Sequence, residues 1–285
     1  MKITMLGTGS PEPYARRASP GYLVDVGPES IQFDCGGGSF DRFLASGADL
    51  SKLSHLFLSH LHSDHMIDYS RLVHARWDCH SHEVDDLKVF GPAPIQLITT
   101  RLFGPEGALA FDLKTRTEDE PSQQIYAARG GKLPRPWPAP EVTEISKGFE
   151  LTRENWSLKA VEAPHAQPFL DSLGYRLDSE GHSFVFSGDS GPSKALTNLA
   201  EGADVLVHMC FQLSGESPGS KWFAGSSGHM EIAETAAEAG VKKVVLSHLR
   251  PHMDEEGIHQ RMVEEMKAKF GGEIMVAEDL DVIEL

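Results

Sequence analysis

The sequence predicts an α/β protein with its helices on the outside, and three observations carry that prediction. Short apolar runs of strand length alternate with helix-patterned stretches through both halves of the chain. The histidines and aspartates that share a chemical pattern each stand just beyond such an apolar run, where side chains from different strands can converge on one cleft. The densest group lies in SHLFLSHLHSDHMID, Ser54 to Asp68, where His60, His62, Asp64 and His65 follow the run Leu56, Phe57 and Leu58.

Composition narrows the class. The 285 residues are 40% hydrophobic and 24% charged, as in an ordinary globular protein, with enough chain to bury a substantial core. No apolar run is long enough to span a bilayer, and KITMLGTGS already alternates like a strand, so the mature chain is expected to start there. Three scattered cysteines, Cys35, Cys79 and Cys210, make no disulfide framework and suit a reducing cytoplasm; each reads as a small buried apolar residue. The formal net charge of −16 disfavours polyanions unless a local basic patch intervenes.

Met1 to Leu6 reads as a strand ending in Gly7-Thr8-Gly9-Ser10-Pro11, a turn in which backbone can approach a site closely. Tyr22 to Val26 and Ser30 to Phe33 alternate as a hairpin does, and the second run ends in Asp34-Cys35-Gly36-Gly37-Gly38. Phe40 to Ser46 is a short amphipathic helix. After His65, Ile67, Leu72, Val73 and Trp77 have helical spacing; Tyr69, His74, Arg76 and Trp77 are open to substrate-facing or core readings, with Trp77 read as core. Leu87 to Phe90 is a strand and Ile95 to Phe103 a helix.

Residues Thr115 to Pro140 break the rhythm. TRTEDEPSQQ is charged and GGKLPRPWPAP holds four prolines around Trp137, so neither a packed helix nor a strand is expected. The stretch reads as a surface insert, or as an arm over the active site or a partner subunit. Strand patterning returns at Glu141 to Ile145 and Trp156 to Glu162, which ends at Ala163-Pro164-His165, and again at Leu173 to Leu177 and Ser183 to Phe186, which ends at Ser187-Gly188-Asp189. Val205 to Met209 is a strand. Met230 to Ala239 is a helix stopped by Gly240 and preceded by His229. Val244 to Leu246 leads to Ser247-His248, a helix covers Asp254 to Phe270, and a strand pair closes the chain within Glu273 to Leu285.

Imidazole and carboxylate are the donors a borderline cation such as zinc accepts. A solvated histidine tract of low complexity is the plain alternative, but here His and Asp interleave in fixed order behind a buried-type strand. His60-Leu61-His62-Ser63-Asp64-His65 resembles the H-x-H-x-D-H signature of the metallo-β-lactamase superfamily, whose other ligands have counterparts farther along. That resemblance implies one domain over 1–285 with a Pro-rich insert at about 115–140, folded as a metallo-β-lactamase αββα four-layer sandwich: two facing mixed sheets with outer helices. It assigns His60, His62 and His165 to one metal and Asp64, His65 and His248 to a second, with Asp189 shared. Asp34 is either a carboxylate that orients a ligand histidine or an Asx-turn.

The implied activity is that of a metal-dependent hydrolase holding two zinc ions per chain, with manganese or iron as alternatives, and using a metal-bridging hydroxide. Asp64 would orient that water or accept its proton. His229 resembles the histidine before the A-x-x-A helix of the ribonuclease Z branch and is the candidate general acid, against a plain helix-cap neighbour.

Gly7 to Ser10, Asp34-Cys35-Gly36 and the block His229 to Pro251 most resemble the ribonuclease Z and arylsulfatase-like branch. Two features turn the expectation toward a small-molecule ester substrate, an aryl sulfate, phosphodiester or lactone, and away from nucleic acid. The stretch between His165 and Asp189 is short, whereas the long bacterial enzymes carry a tRNA-gripping arm there. The branch's Gly-Leu-Pro-Gly after the first motif is replaced by Met66-Ile67-Asp68-Tyr69. A tRNA 3′-processing endonuclease is the alternative; a redox di-iron protein, a third class, would resemble H-x-E-x-D, which His62 argues against. A cytoplasmic protein with no membrane contact and a homodimeric partner completes the expectation. Phe211, Trp222 and Phe223 are read as lining an apolar pocket or as ordinary packing.

Overall fold

The computed structural model describes residues 1–79, 85–215 and 225–285. Trp222 and Phe223, with His80 and His82, lie outside the described residues.

Two seven-stranded sheets face each other. The first holds β1 (Lys2–Gly7), β2 (Gly21–Val26), β3 (Glu29–Phe33), β4 (Leu53–Phe57), β5 (Lys88–Gly91) and β6 (Glu141–Glu144), with the last strand of the chain, β14 (Val282–Glu284), beside β1. The second holds β7 (Glu150–Thr152), β8 (Trp156–Glu162), β9 (Leu173–Ser179), β10 (His182–Phe186), β11 (Val205–Met209), β12 (Lys243–Ser247) and β13 (Glu273–Val276). Each sheet is antiparallel at one end and parallel at the other: pairing turns parallel at β3–β4 in the first and at β10–β11 in the second. The chain is therefore two similar halves, a relationship with no visible sequence repeat.

Period-two alternation sorts the side chains into layers. Phe33, Phe57, Tyr175, Phe184, Phe186 and Val207 point between the sheets and form the central core, with the Phe33 and Phe184 rings 5.2 Å apart. Their neighbours point outward: Leu56 and Val89 meet the helices α1 (Ser39–Ala45), α3 (Tyr69–Cys79) and α4 (Ile95–Phe103), while Val185, Leu206 and Val244 meet α7 (Lys194–Leu199), α8 (His229–Ala239) and α9 (Ile258–Lys267). This is the expected four-layer arrangement. Among the described residues no helix is long and apolar enough to cross a membrane.

Several local expectations are corrected. The charged stretch after Leu109 is helical, as α5 (Ala110–Glu118) and α6 (Glu120–Ala128). Asp119 caps α6 by accepting the Ser122 N–H, and Pro121 sits in its first turn, where a missing N–H costs nothing. Only the proline-rich part lacks helix and strand, and it is anchored rather than loose. The Arg135 guanidinium lies 3.6 Å from the Trp77 ring centroid and 4.7 Å from that of Tyr126, and Trp77 Nε1 donates to the Pro136 carbonyl. Trp77 is thus the platform for the insert, only partly buried, and neither pure core nor substrate-facing. The closing strands do not pair with each other: β13 extends the second sheet and β14 the first. Helix α9 starts at Ile258, after a 3-10 turn at Pro251–Asp254. Cys79 is exposed, while Cys35 and Cys210 are buried, and all three are free thiols.

Candidate metal centre

Four strand tips build the site. Beyond β4, Leu58 N–H still bonds to Phe90, so the chain leaves the sheet only at Ser59 and turns His60 inward. His62 then starts the single turn α2 (Ser63–Met66), which carries Asp64 and His65. His165 follows β8, Asp189 follows β10, and His248 follows β12. Close backbone packing shapes the floor: a Cβ on Gly36 would stand 2.0 Å from the Asp64 carbonyl oxygen, so only glycine fits. Asp34 (φ 56°) and His248 (φ 61°) both hold left-handed backbone, a conformation that costs non-glycine residues of order 1–3 kcal/mol and clusters at working sites.

The seven side chains assigned from sequence converge. His60 Nε2 lies 3.0 Å from His62 Nδ1, which is 3.3 Å from His165 Nε2. Asp64 Oδ2 lies 3.3 Å from both His65 Nε2 and His248 Nε2. The Asp189 carboxylate stands between the two sets, with Oδ2 3.2 Å from His248 Nε2 and 3.7 Å from His165 Nε2, and Oδ1 3.3 Å from His65 Nε2. Donor atoms within 4.8 Å of one another make three groups here: His60, His62 and His165; His60, His65 and Asp189; and Asp64, His65 and His248.

Three of the rings are aimed by a partner on the far nitrogen, whereas His248 Nδ1 is buried with no hydrogen-bond partner among the described residues. His65 Nδ1 donates to Asp34 Oδ2 at 2.7 Å, and His165 Nδ1 donates to the Gly225 carbonyl at 2.7 Å. His60 Nδ1 reaches Ser59 Oγ at 3.0 Å, and that hydroxyl donates to Asp34. Asp34 also accepts the N–H of Ser59, 25 residues along the chain, so its carboxylate orients a ring and ties two strand ends together rather than closing a local Asx-turn. Gly225 left no signal in sequence, because a backbone carbonyl has no residue signature.

The electrostatics favour positive charge at the centre. Burial opposes ionisation of His65, but Asp189 and Asp34 hold its pKa well above the ordinary value. Burial likewise opposes charge on His248, and Asp189 and Asp64 raise it to about 9. Burial resists the Asp189 anion too, yet His248 and His65 hold its carboxyl well below the usual range. His60 is driven well below its ordinary value by burial and by the neighbouring imidazoles. Nitrogen lone pairs facing one another at 3.0–3.3 Å, with buried Asp64 Oδ2 lacking a hydrogen-bond partner among the described residues, are what a divalent cation satisfies. A fourth acidic group, Asp254, His259 and Glu278, differs: the Arg17 guanidinium already fills it, 2.6 Å from Asp254 and 2.8 Å from Glu278.

His229 does not join the cage. Its buried ring accepts the Ser214 N–H at Nδ1 and donates from Nε2 to Glu265 Oε2 at 2.6 Å, on the outer helix α9. Both nitrogens are spent on groups outside the ligand groups, so this arrangement gives no direct proton delivery, contrary to the general-acid expectation. Sequence also missed Arg250: Phe211, read from sequence as pocket lining or packing, has its ring 5.7 Å from that of His248 and carries the Arg250 guanidinium over its face.

A model described as a beta-lactamase superfamily domain matches residues 22–249. Ribonuclease Z from Mycobacterium avium (strain 104) is 30% identical over 290 residues, covering all of this chain and 98% of that protein. Ribonuclease Z from Mycolicibacterium gilvum (strain PYR-GCK) is 32% identical over 88% of this chain and 85% of its own length. Among solved structures, the metallo-beta-lactamase fold protein YhfI from Bacillus subtilis superposes with a TM-score of 0.72 at 23% identity, covering 99% of each chain. Human tRNase Z, short form, gives 0.70 at 19% identity, over 100% of this chain and 99% of that one. At those identities the structures show the shared fold alone.

Proposed function

This chain is a hydrolase belonging to the beta-lactamase superfamily, and from that premise we propose that it cleaves phosphodiester bonds in RNA, as its ribonuclease Z relatives are named for doing. One observation carries the choice of substrate: the match to a curated ribonuclease Z spans 98% of that protein. Such an alignment leaves no room in the relative for a long gripping arm that this chain lacks. The short His165-to-Asp189 stretch therefore does not set this chain apart, and the preference for a small-molecule ester over nucleic acid is withdrawn. The net charge of −16 argues against unspecific polyanion binding, but a cleft is governed by its local charges.

Two zinc ions are the proposed complement, one held by His60, His62 and His165 and one by Asp64, His65 and His248, with Asp189 serving both. Manganese and iron suit the same nitrogen and oxygen donors. Cations bound there supply Lewis acidity to the scissile group and make hydroxide available near neutral pH. The protein's own part is orientation. Asp34, Ser59 and the Gly225 carbonyl fix the rings of His65, His60 and His165, and Asp64, whose Oδ2 lies 3.3 Å from His65 Nε2 and His248 Nε2, would align the attacking water or take its proton.

The test is a substrate panel on metal-loaded protein: a precursor tRNA, bis(p-nitrophenyl) phosphate, aryl sulfates and lactones. Phosphodiester cleavage that a chelator abolishes and added zinc or manganese restores is the expected result. Turnover of an aryl sulfate or a lactone with both phosphodiesters untouched overturns the reading. Restored metal should also raise Tm, because a ligand at a thousand times its Kd stabilises by about 4 kcal/mol.

A further inference from the structure

Two residues beyond His248 stands a cation, Arg250, held over an aromatic ring and paired with a carboxylate through its inner nitrogen. Arg250 Cζ lies 5.2 Å from the Phe211 ring centroid, within cation–π range. Its Nε donates to Glu12 Oε1 at 2.6 Å. The segment is fastened to the turn after β1, since Gly9 and Leu249 form a parallel bridge, Ser10 N–H bonds to Leu249 and Leu249 N–H bonds to Thr8. That turn brings Glu12 in, and the backbone that delivers His248 delivers Arg250 two residues later.

A guanidinium has five donors, and Glu12 takes one. Among the described residues the two terminal nitrogens of Arg250 make no hydrogen bond, and its side chain is 27% exposed. Arg17 shows the contrast: its side chain is fully buried, with every nitrogen committed to Thr8, Ala277, Asp254 or Glu278. With the guanidinium over Phe211 and the ring tilted 59° against His248, Phe211 is occupied as a platform and does not serve as a stacking surface for a base. A planar fork held by its inner nitrogen presents an outer edge that suits a phosphate.

We propose that Arg250, oriented by Glu12 and supported by Phe211, forms a subsite for the phosphate next to the one being cleaved. This rests on the phosphodiesterase reading above and adds to it a preference for a strand over an isolated diester. A lactone or a simple aryl ester has no group for the subsite.

The experiment measures kcat and KM for bis(p-nitrophenyl) phosphate, which has one phosphate, and for a single-stranded RNA oligonucleotide, which has many. It compares the wild type with Arg250→Ala, Arg250→Lys and Glu12→Gln, with metal content and Tm recorded for each. In Arg250→Ala the ratio of kcat/KM for RNA to that for the simple diester should fall about tenfold or more, mainly through KM. The salt dependence of log KM for RNA should flatten by about 0.7, the contribution of one phosphate contact on a single strand. Arg250→Lys should keep the salt slope and lose part of the ratio. Glu12→Gln, at a half-buried position, should lower the ratio even if Arg250→Ala folds poorly. An unchanged ratio in both Arg250→Ala and Glu12→Gln, or an equal loss on both substrates with the salt slope intact, overturns the subsite. A wild type that cleaves neither phosphodiester overturns the underlying reading and the subsite with it.

Discussion

Asp34 Oδ2 accepts the Nδ1 proton of His65 at 2.7 Å, while its other oxygen accepts the Ser59 N–H, also at 2.7 Å. One buried carboxylate therefore fixes both the ring of a candidate ligand and the turn that launches the ligand segment from β4. Asp34→Asn tolerates the left-handed backbone that Asp34 holds, yet it loses the charge that faces His65. We expect metal affinity to fall by about 10–100-fold in chelator competition, with Tm nearly unchanged for the apo protein. Unaltered affinity would show that the ring needs no carboxylate behind it.

His229 joins α8, the Ser214 loop and α9 through its two nitrogens. His229→Ala should lower Tm, and Glu265→Gln, whose side chain is 38% exposed, should do so to a smaller degree. Turnover per bound metal should stay within a few-fold of wild type in both variants. A loss of about a hundredfold or more at unchanged metal content and Tm would instead put His229 in the chemistry.

His55 contributes a pH dependence remote from the metal cage. Burial pushes it down to about 4; Glu29 pulls the other way, while Lys88 and Arg153 add to the burial. With an unfolded value of about 6.5, the unfolded chain binds the extra proton between the two values. This contribution to stability is complete above pH 6.5 and is lost as pH falls toward 4. His55→Phe keeps the stacking on Phe57, Phe90 and Trp156; Nε2 has no partner among the described residues, and the bond lost is that of Nδ1 to Ser54 Oγ, a hydroxyl that also donates to Glu29. Urea midpoints at pH 7 and pH 4.5 should differ less in the variant than in the wild type; equal differences would refute the assignment. Burial holds His208 near 4 as well, so part of the wild-type slope should remain.

Arg135 fastens the proline-rich insert by lying between Trp77 and Tyr126 and pairing with Asp78 at 2.8 Å. Arg135→Ala leaves Asp78 with its more exposed partners, Arg116 and Arg129, and opens the aromatic sandwich. Limited proteolysis should cut the variant within 129–140 much faster than the wild type, with global Tm lowered by only a few degrees. Equal cutting rates would mean the prolines alone hold the segment.

The seven convergent side chains were legible because each sits at the end of an apolar run, and a strand end fixes where its next residues go. Helix α4 was legible for a similar local reason, and α8 because His229 opens it and Gly240, left-handed at φ 65°, ends it. Local pattern misled where one residue's position decided the outcome. Pro121 reads as a breaker until Asp119 is seen capping the helix ahead of it, and Cys79 reads as buried until the end of α3 is seen to be exposed.

What the sequence determined by itself is the strands other than the three-residue β7, and the donors at their tips, since period-two burial and donor chemistry are written in neighbouring residues. Tertiary structure alone decided that β13 and β14 part to opposite sheets, that His229 faces α9, and that Arg250 lies over Phe211 beside His248. Those relationships join residues tens to hundreds of positions apart. Which of them meet is settled by how the two sheets pack on their shared aromatic core, and no local periodicity encodes that packing.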